Sequence, residues 1–106
     1  MVILFSELEK MTGGRNLLLS NDTVIHSLCI DSRKATDAKG TLFFAIKGER
    51  NDGHTYVHTL YALGVRQFVV ERPVADLNLL QGANLVLVDS SVQALQKLAA
   101  FRRDHY

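Results

Sequence analysis

The chain has one cysteine, one proline and no tryptophan among its 106 residues, and it has no long apolar run. Its single cysteine, Cys29, forms no internal disulfide, which is typical of proteins in the reducing cytosol. No run approaches the ~18–20 apolar residues that a membrane-spanning helix requires. The apolar residues 1–5 are too few for a signal-peptide core and lack a basic leader. We therefore expect a cytoplasmic protein with no membrane partner.

An excess of either charge is also missing. Twelve Lys and Arg residues oppose eleven Asp and Glu residues, so the formal net charge is +1. Nucleic-acid-binding domains normally carry a strong basic excess on one face, so we expect no nucleic-acid partner. The apolar fraction of 47% is sufficient for a hydrophobic core. The length is typical of a single domain.

Motifs for bond-breaking chemistry are scarce. Gly48 to Gly53 lacks the Gly-x-x-x-x-Gly-Lys-Ser/Thr spacing of a phosphate loop. His54 and His58 have the spacing of a helical zinc pair, but no third ligand is obviously placed to complete a metal site. The structural interpretation is that His54 ends the loop that begins at Gly48 and that His58 faces solvent. A Ser/His/Asp catalytic set can be assembled from Ser32, His54 and Asp52, but no Gly-x-Ser-x-Gly turn supports it. We therefore expect no catalytic residues and no metal.

Apolar patterning predicts an α/β fold. A brief strand is predicted over residues 17–19, and stronger strands over 24–30, 41–47, 67–71 and 84–88. Helices are predicted from a Ser6–Glu9 capping box, over residues 56–63 with Gly64 after the last turn, and from a Ser90–Gln93 capping box toward Tyr106. Alternating strands and helices indicate helices packed on a sheet. Because residues 32–40 are few for a helical crossover, we expect a single small domain with a mixed β-sheet flanked by helices.

Polar and charged residues are concentrated in two loops on either side of the apolar run 41–46. The first loop is Ile30-Asp31-Ser32-Arg33 and the second is Gly48–His54. We expect both loops at the carboxyl ends of sheet strands, where α/β domains usually bind ligands. Arg33 or Arg50 can then hold a phosphate bidentately. Free backbone groups of the second loop can hydrogen-bond the edge of a planar base.

The alternative interpretation of these loops is structural. Asp31 then caps a turn, and Arg33 pairs with Asp31 or with Asp52. The glycines of the second loop only permit tight turning. A non-catalytic α/β module with purely structural loops therefore stays an alternative.

The ordered combination of Asp31-Ser32-Arg33, residues 40–48 and Asp52-Gly53-His54 resembles the N-terminal domain of Mur ligases. These cytoplasmic enzymes add amino acids to the UDP-N-acetylmuramoyl-peptide precursor of peptidoglycan. The similarity covers nearly the whole chain. It implies that residues 1–106 are an N-terminal domain that binds the UDP-sugar-peptide. The central ATP-binding domain and the C-terminal domain of the ligase are then absent from these residues. Residues 50–56 and 60–66 are most similar to the members that add D-alanyl-D-alanine, in particular the form fused to an alanine racemase.

The resemblance also implies roles for individual residues. Contacts to the UDP part of the substrate are implied for Ile30, Ser32, Glu49, Arg50 and Asn51. A second group is implied to shape the loops, with possible ligand contact: Asp31, Arg33, Gly48, Asp52, Gly53 and His54.

The cofactors implied by the resemblance belong to the full-length ligase. There, ATP and magnesium serve to phosphorylate the substrate carboxylate, and the incoming amine attacks the acyl phosphate. Pyridoxal phosphate is implied only if the racemase fusion is present. No cofactor is expected within these 106 residues, and we expect this part of the ligase to be inactive by itself.

Two further alternatives remain open. The nearest is the corresponding domain of the family members that add the third residue, a diamino acid or lysine, to the UDP-N-acetylmuramoyl-dipeptide. The other is a free-standing nucleotide-binding protein that is complete at Tyr106.

Overall fold

The computed structural model describes residues 3–20, 23–31, 40–49 and 52–104. Its helices and strands follow in chain order: β1 (Ile3–Leu4), α1 (Leu8–Thr12), β2 (Arg15–Leu19), β3 (Val24–Ile25), β4 (Ser27–Cys29), β5 (Thr41–Phe44), α2 (Val57–Ala62), β6 (Gln67–Val70), β7 (Asn84–Leu87) and α3 (Ser91–Asp104). Short 3₁₀ helices cover Phe5–Glu7, Gly53–Tyr56 and Leu77–Leu79. Within the described residues, no helix is both long and apolar enough to cross a bilayer.

The main sheet has five strands in the order β2-β7-β6-β5-β4. Strands β4, β5, β6 and β7 run parallel to one another, and β2 pairs antiparallel with β7. A separate antiparallel pair joins β1 to β3. The prediction of a mixed sheet flanked by helices is therefore confirmed.

The two faces of the sheet carry separate hydrophobic clusters. Leu42 and Phe44 belong to a cluster that includes residues of α1 and α3, whereas Phe43 belongs to a cluster that includes residues of α2. This alternation follows from the period of two along a strand. Phe43 packs edge-on against Phe68 of the neighbouring strand, with ring centroids 6.4 Å apart. Helices therefore cover both faces of the sheet.

The capping signals of the two longer helices are confirmed. Beyond α2, Gly64 has φ 108°, and the amides of Gly64 and Val65 donate to the carbonyls of Tyr61 and Leu60, as in a Schellman motif. At the start of α3, the Ser90 hydroxyl accepts from the Gln93 amide at 3.2 Å.

The capping box predicted at Ser6 and Glu9 is wrong. The chain is already helical at Phe5, and the Glu7 carboxylate accepts from the Leu4 amide at 3.1 Å. The Glu9 carboxylate instead accepts from the Asn16 amide, so it joins α1 to β2.

The single strand predicted over residues 24–30 is wrong. The chain divides into β3 and β4, which belong to different sheets, because the amides of His26 and Ser27 both donate to the Gly40 carbonyl. Ile30, expected within a buried strand, lies beyond β4 and is 57% exposed.

The mixed sheet was predicted because residues 32–40 are few for a helical crossover between parallel strands. This reason is wrong, because β4 and β5 are parallel. Strand β4 has only three residues and is therefore about 10 Å long. The antiparallel strand is β2.

Candidate functional site

The two polar loops leave the sheet at the same edge. Cys29, the last residue of β4, pairs with Phe43 near the end of the parallel strand β5. Ile30 and Asp31 therefore follow β4 beside the segment that leads from β5 into Gly48. We call the edge formed by the carboxyl ends of β4 to β7 the carboxyl edge. The sequence-based placement at the carboxyl ends of strands is confirmed for the described parts of the two loops.

The second loop is closed at its base by backbone contacts. Lys47 and Asp52 form an antiparallel bridge, and the Gly53 amide donates to the Ile46 carbonyl at 2.9 Å. A Cβ atom at Gly53 would lie 2.8 Å from the Ile46 nitrogen and 3.0 Å from the Ala45 Cα. Since these neighbours are backbone atoms, the close approach requires glycine. Gly53 therefore fixes how the loop returns to the sheet.

The Asp52 carboxylate accepts hydrogen bonds from two residues. Its Oδ1 accepts from the His54 amide at 3.0 Å and from His54 Nδ1 at 2.7 Å. Its Oδ2 accepts from an Arg72 guanidinium nitrogen at 2.5 Å. Burial by itself raises the pKa of Asp52, but the hydrogen bonds from His54 and Arg72 outweigh it and hold that pKa well below its usual range. Asp52 is therefore an ionised acceptor that holds the end of the loop.

His54 is held in one tautomer. The residue is 7% exposed, and its Nε2 accepts from the Glu71 amide at 2.9 Å. A neutral imidazole has one donor and one acceptor nitrogen, so the Nδ1 atom carries the proton that is donated to Asp52. The sequence-based interpretation of His54 only as the end of the loop therefore missed its buried link to the end of β6.

The Glu71 carboxylate caps α3. It accepts from the Ser91 amide at 2.7 Å, where the helix dipole favours negative charge. A phosphate at this helix start would meet a carboxylate already in place. The start of α3 is therefore unsuited to an anionic ligand, unlike many other helix starts in α/β folds.

The predicted substrate-contact residues are only partly visible. Ile30 is 57% exposed directly after β4, and Glu49 is also exposed. Ser32, Arg50 and Asn51 lie outside the described residues. Their roles stay predictions.

The predicted loop-shaping residues fall into two groups. Asp52, Gly53 and His54 form the described base of the second loop. Gly48 is exposed, Asp31 is half-buried and its carbonyl accepts from the Cys29 thiol at 3.0 Å, and Arg33 lies outside the described residues.

Asp52 has a cationic partner that was not predicted, Arg72. The alternative pairing of Arg33 with Asp31 or with Asp52 stays a prediction, because Arg33 lies outside the described residues. His58, expected to face solvent, is half-buried, and its Nε2 lies 2.9 Å from the Ala75 carbonyl. Among the described residues, no three His, Cys, Asp or Glu side chains are grouped as metal ligands.

Sequence reasoning missed Glu71 and Arg72. They directly follow β6, which lies between β5 and β7 in the sheet. Their position at the end of a predicted strand was a signal for the carboxyl edge. The order of the strands, which brings them beside Asp52 and His54, was not predicted.

We expect replacement of Asp52 by asparagine to lower the free energy of unfolding at neutral pH. Because the folded-state pKa of Asp52 is depressed, the ionised carboxylate stabilises the fold fully above its unfolded pKa of about 4. This contribution is lost as the pH falls below that value. Urea unfolding of both proteins from pH 7 to pH 2 measures the difference, which is expected to shrink on acidification. A difference that stays constant over this range would contradict the assignment.

The sequence matches the family model described as "Mur ligase family, catalytic domain" over residues 24–103. It is 39% identical over 77 residues to the UDP-N-acetylmuramoyl-tripeptide--D-alanyl-D-alanine ligase of Bacillus subtilis, a match that covers 73% of this chain and 16% of that protein. It is 37% identical over 75 residues to the UDP-N-acetylmuramoyl-L-alanyl-D-glutamate--2,6-diaminopimelate ligase of Clostridioides difficile, covering 71% of this chain and 14% of that protein.

The fold is similar to a solved structure of MurF from Acinetobacter baumannii. The TM-score is 0.78 and the sequence identity 30%, over 99% of this chain and 22% of that chain. The chain therefore spans less than a quarter of the length of each of these relatives.

Proposed function

Because the chain belongs to the Mur ligase family, we propose that it binds the UDP end of a UDP-N-acetylmuramoyl-peptide at its carboxyl edge. In this proposal, residues 1–106 are the N-terminal domain of an ATP-dependent cytoplasmic ligase. That ligase adds D-alanyl-D-alanine to UDP-N-acetylmuramoyl-tripeptide, the reaction named for the Bacillus subtilis relative.

The observation that carries the proposal is the parallel pairing of β4 with β5. It brings the start of the first loop beside the base of the second, at the edge where α/β sheets usually bind ligands. Ile30 adds an exposed apolar side chain at this edge. A planar base that covers this side chain would remove apolar surface from water, which favours binding.

The proposed recognition of uracil uses mainly the backbone of the second loop. Backbone donors and acceptors of residues 49–51 would hydrogen-bond the edge of the base, and the Ser32 hydroxyl would add a contact from the first loop. Backbone recognition depends on a fixed loop, and the described base at Gly53 and Asp52 supports that requirement. Arg33 or Arg50 would meet the diphosphate, since a guanidinium matches phosphate geometry bidentately.

The bond-forming chemistry is proposed to lie in the other domains of the ligase. ATP and magnesium would activate the substrate carboxylate there as an acyl phosphate, which the incoming amine attacks. The 106 residues contain no phosphate-loop motif, in agreement with this division. The fusion to an alanine racemase, with its pyridoxal phosphate, stays a prediction.

A second candidate is the ligase that adds a diamino acid as the third residue. The 37% identity to the Clostridioides difficile enzyme favours it, because its value is close to the 39% identity to the Bacillus subtilis enzyme. The two candidates share the proposed UDP site. Competition between the dipeptide and tripeptide forms of the substrate in the full ligase would distinguish them.

We expect saturable binding of UDP to this chain by isothermal titration calorimetry, and at least tenfold weaker binding of ADP. Ser32→Ala should weaken UDP binding. Ser27→Ala is the matched control, since it removes a hydroxyl from the start of β4, away from the carboxyl edge, where the Ser27 hydroxyl contacts the Thr41 hydroxyl at 3.1 Å. Equal affinities for UDP and ADP, or equal losses in the two variants, would contradict the proposal.

A further inference from the structure

Arg72 lies at the carboxyl edge, but it belongs neither to the Asp52-Gly53-His54 motif nor to the proposed ligand contacts. It directly follows β6, the strand next to β5, and it precedes Pro73, which disfavours helical backbone at the preceding residue. Its side chain is 49% exposed, and its guanidinium donates to the Asp52 carboxylate across 2.5 Å. A charged group from the segment that follows β6 therefore reaches Asp52, where the second loop returns to the sheet.

The backbone of the same dipeptide makes a second contact to that return. The Glu71 amide donates to Nε2 of His54, whose Nδ1 in turn donates to Asp52. Glu71 and Arg72 thus hold two residues of the loop base through different atoms. The contacts form a closed path from Arg72 through Asp52 and His54 back to Glu71.

This path fixes the residue that pairs with Lys47. Asp52 forms the antiparallel bridge to Lys47, so a shift of Asp52 moves both ends of the second loop. A site that recognises its ligand through backbone atoms tolerates displacements of only about 0.5 Å. The orientation of Asp52 therefore matters for any ligand that the loop binds.

We propose that Arg72 is a positioning residue for the UDP-binding loop and acts through Asp52 and His54. This inference rests on the proposed function, because it assigns Arg72 to the same ligand. Arg72 does not contact the ligand in this arrangement. Its ion pair holds the return of the loop in the orientation that binds uracil.

The test compares Arg72→Ala and Arg72→Lys with the parent chain. Arg15→Ala is the matched control, because it removes an exposed arginine from β2, which β7 and β6 separate from β5. Amide hydrogen exchange of Gly53 and Glu71 is measured without ligand, and affinities are measured for uridine and for UDP. Thermal unfolding of each variant is followed in parallel, and little change is expected because the ion pair is exposed.

In Arg72→Ala, we expect faster exchange of both amides and an about three- to fivefold loss of affinity, equal for uridine and UDP. Arg72→Lys should restore part of both, and Arg15→Ala should match the parent. Unchanged exchange would overturn the inference. A loss confined to UDP would also overturn it, because Arg72 would then contact a phosphate directly. If the parent binds neither ligand, the proposed function fails, and the exchange measurement alone decides whether Arg72 holds the loop base.

Discussion

Replacement of Gly53 by valine is expected to abolish UDP binding and to destabilise the fold. The first added carbon would lie 2.8 Å from the Ile46 nitrogen, where real Cβ contacts are essentially absent. The strand cannot easily give way, because the neighbouring Ala45 amide donates to the Val69 carbonyl of β6. The return of the second loop must therefore move. Overpacking of this kind costs about 1–3 kcal/mol of stability.

Gly53→Ala, which adds only the first carbon, is measured beside Gly53→Val, and Gly13→Ala is the control for both. Gly13 has φ 75°, but no atom lies within 4 Å of the position of its Cβ. An alanine there strains the backbone at a cost of about 1 kcal/mol and leaves the carboxyl edge intact. Calorimetric titration with UDP and urea unfolding are measured for all three variants. Retained UDP affinity in Gly53→Val, or lost affinity in Gly13→Ala, would contradict the role of this contact.

Replacement of His54 by alanine is expected to lower the free energy of unfolding by about 2–4 kcal/mol. The change leaves the Glu71 amide without its acceptor and removes a donor from Asp52. It also leaves a cavity, since the imidazole is buried. Urea unfolding near neutral pH measures the loss. UDP binding should fall as well, because Asp52 then lacks the partner that orients it.

His58→Ala is the matched control, since it removes the same side chain from α2. Its imidazole is half-buried and makes one described hydrogen bond, to the Ala75 carbonyl. The expected loss is about 1 kcal/mol or less, with UDP binding unchanged. Equal losses in the two variants would show that the buried network around His54 adds nothing to stability.

The central strands and the longer helices were predictable because their signals are local. The runs 67–71 and 84–88 are apolar enough for strands buried on both faces, and both form as β6 and β7 within one residue of the predicted ends. Gly64 predicted the end of α2, because a residue with positive φ favours glycine.

The amino-terminal strands were not predictable from local pattern. Residues 24–30 read as one apolar run, yet they divide at His26, where two amides share the Gly40 carbonyl. That acceptor is distant in the sequence and has no signature in the run itself. The parallel direction of β4 relative to β5 likewise had no signal within the single predicted strand.

The candidate site was predicted in its position but not in its contacts. The Asp52-Gly53-His54 motif and the neighbouring strands indicated the carboxyl edge. The partners of Asp52 and His54 come from Glu71 and Arg72, about twenty residues later, and depend on the order of strands in the sheet. Such long-range pairs follow from topology, which one sequence does not specify locally.

The most direct test of the UDP-binding assignment is an amide-resolved NMR titration of this chain with UDP-N-acetylmuramoyl-tripeptide. AMP serves as the control ligand. We expect shifts confined to residues 30–33 and 48–54, with none on addition of AMP. No shifts with millimolar tripeptide ligand, or shifts spread over α2 and the opposite ends of the strands, would contradict the assignment of UDP to the carboxyl edge.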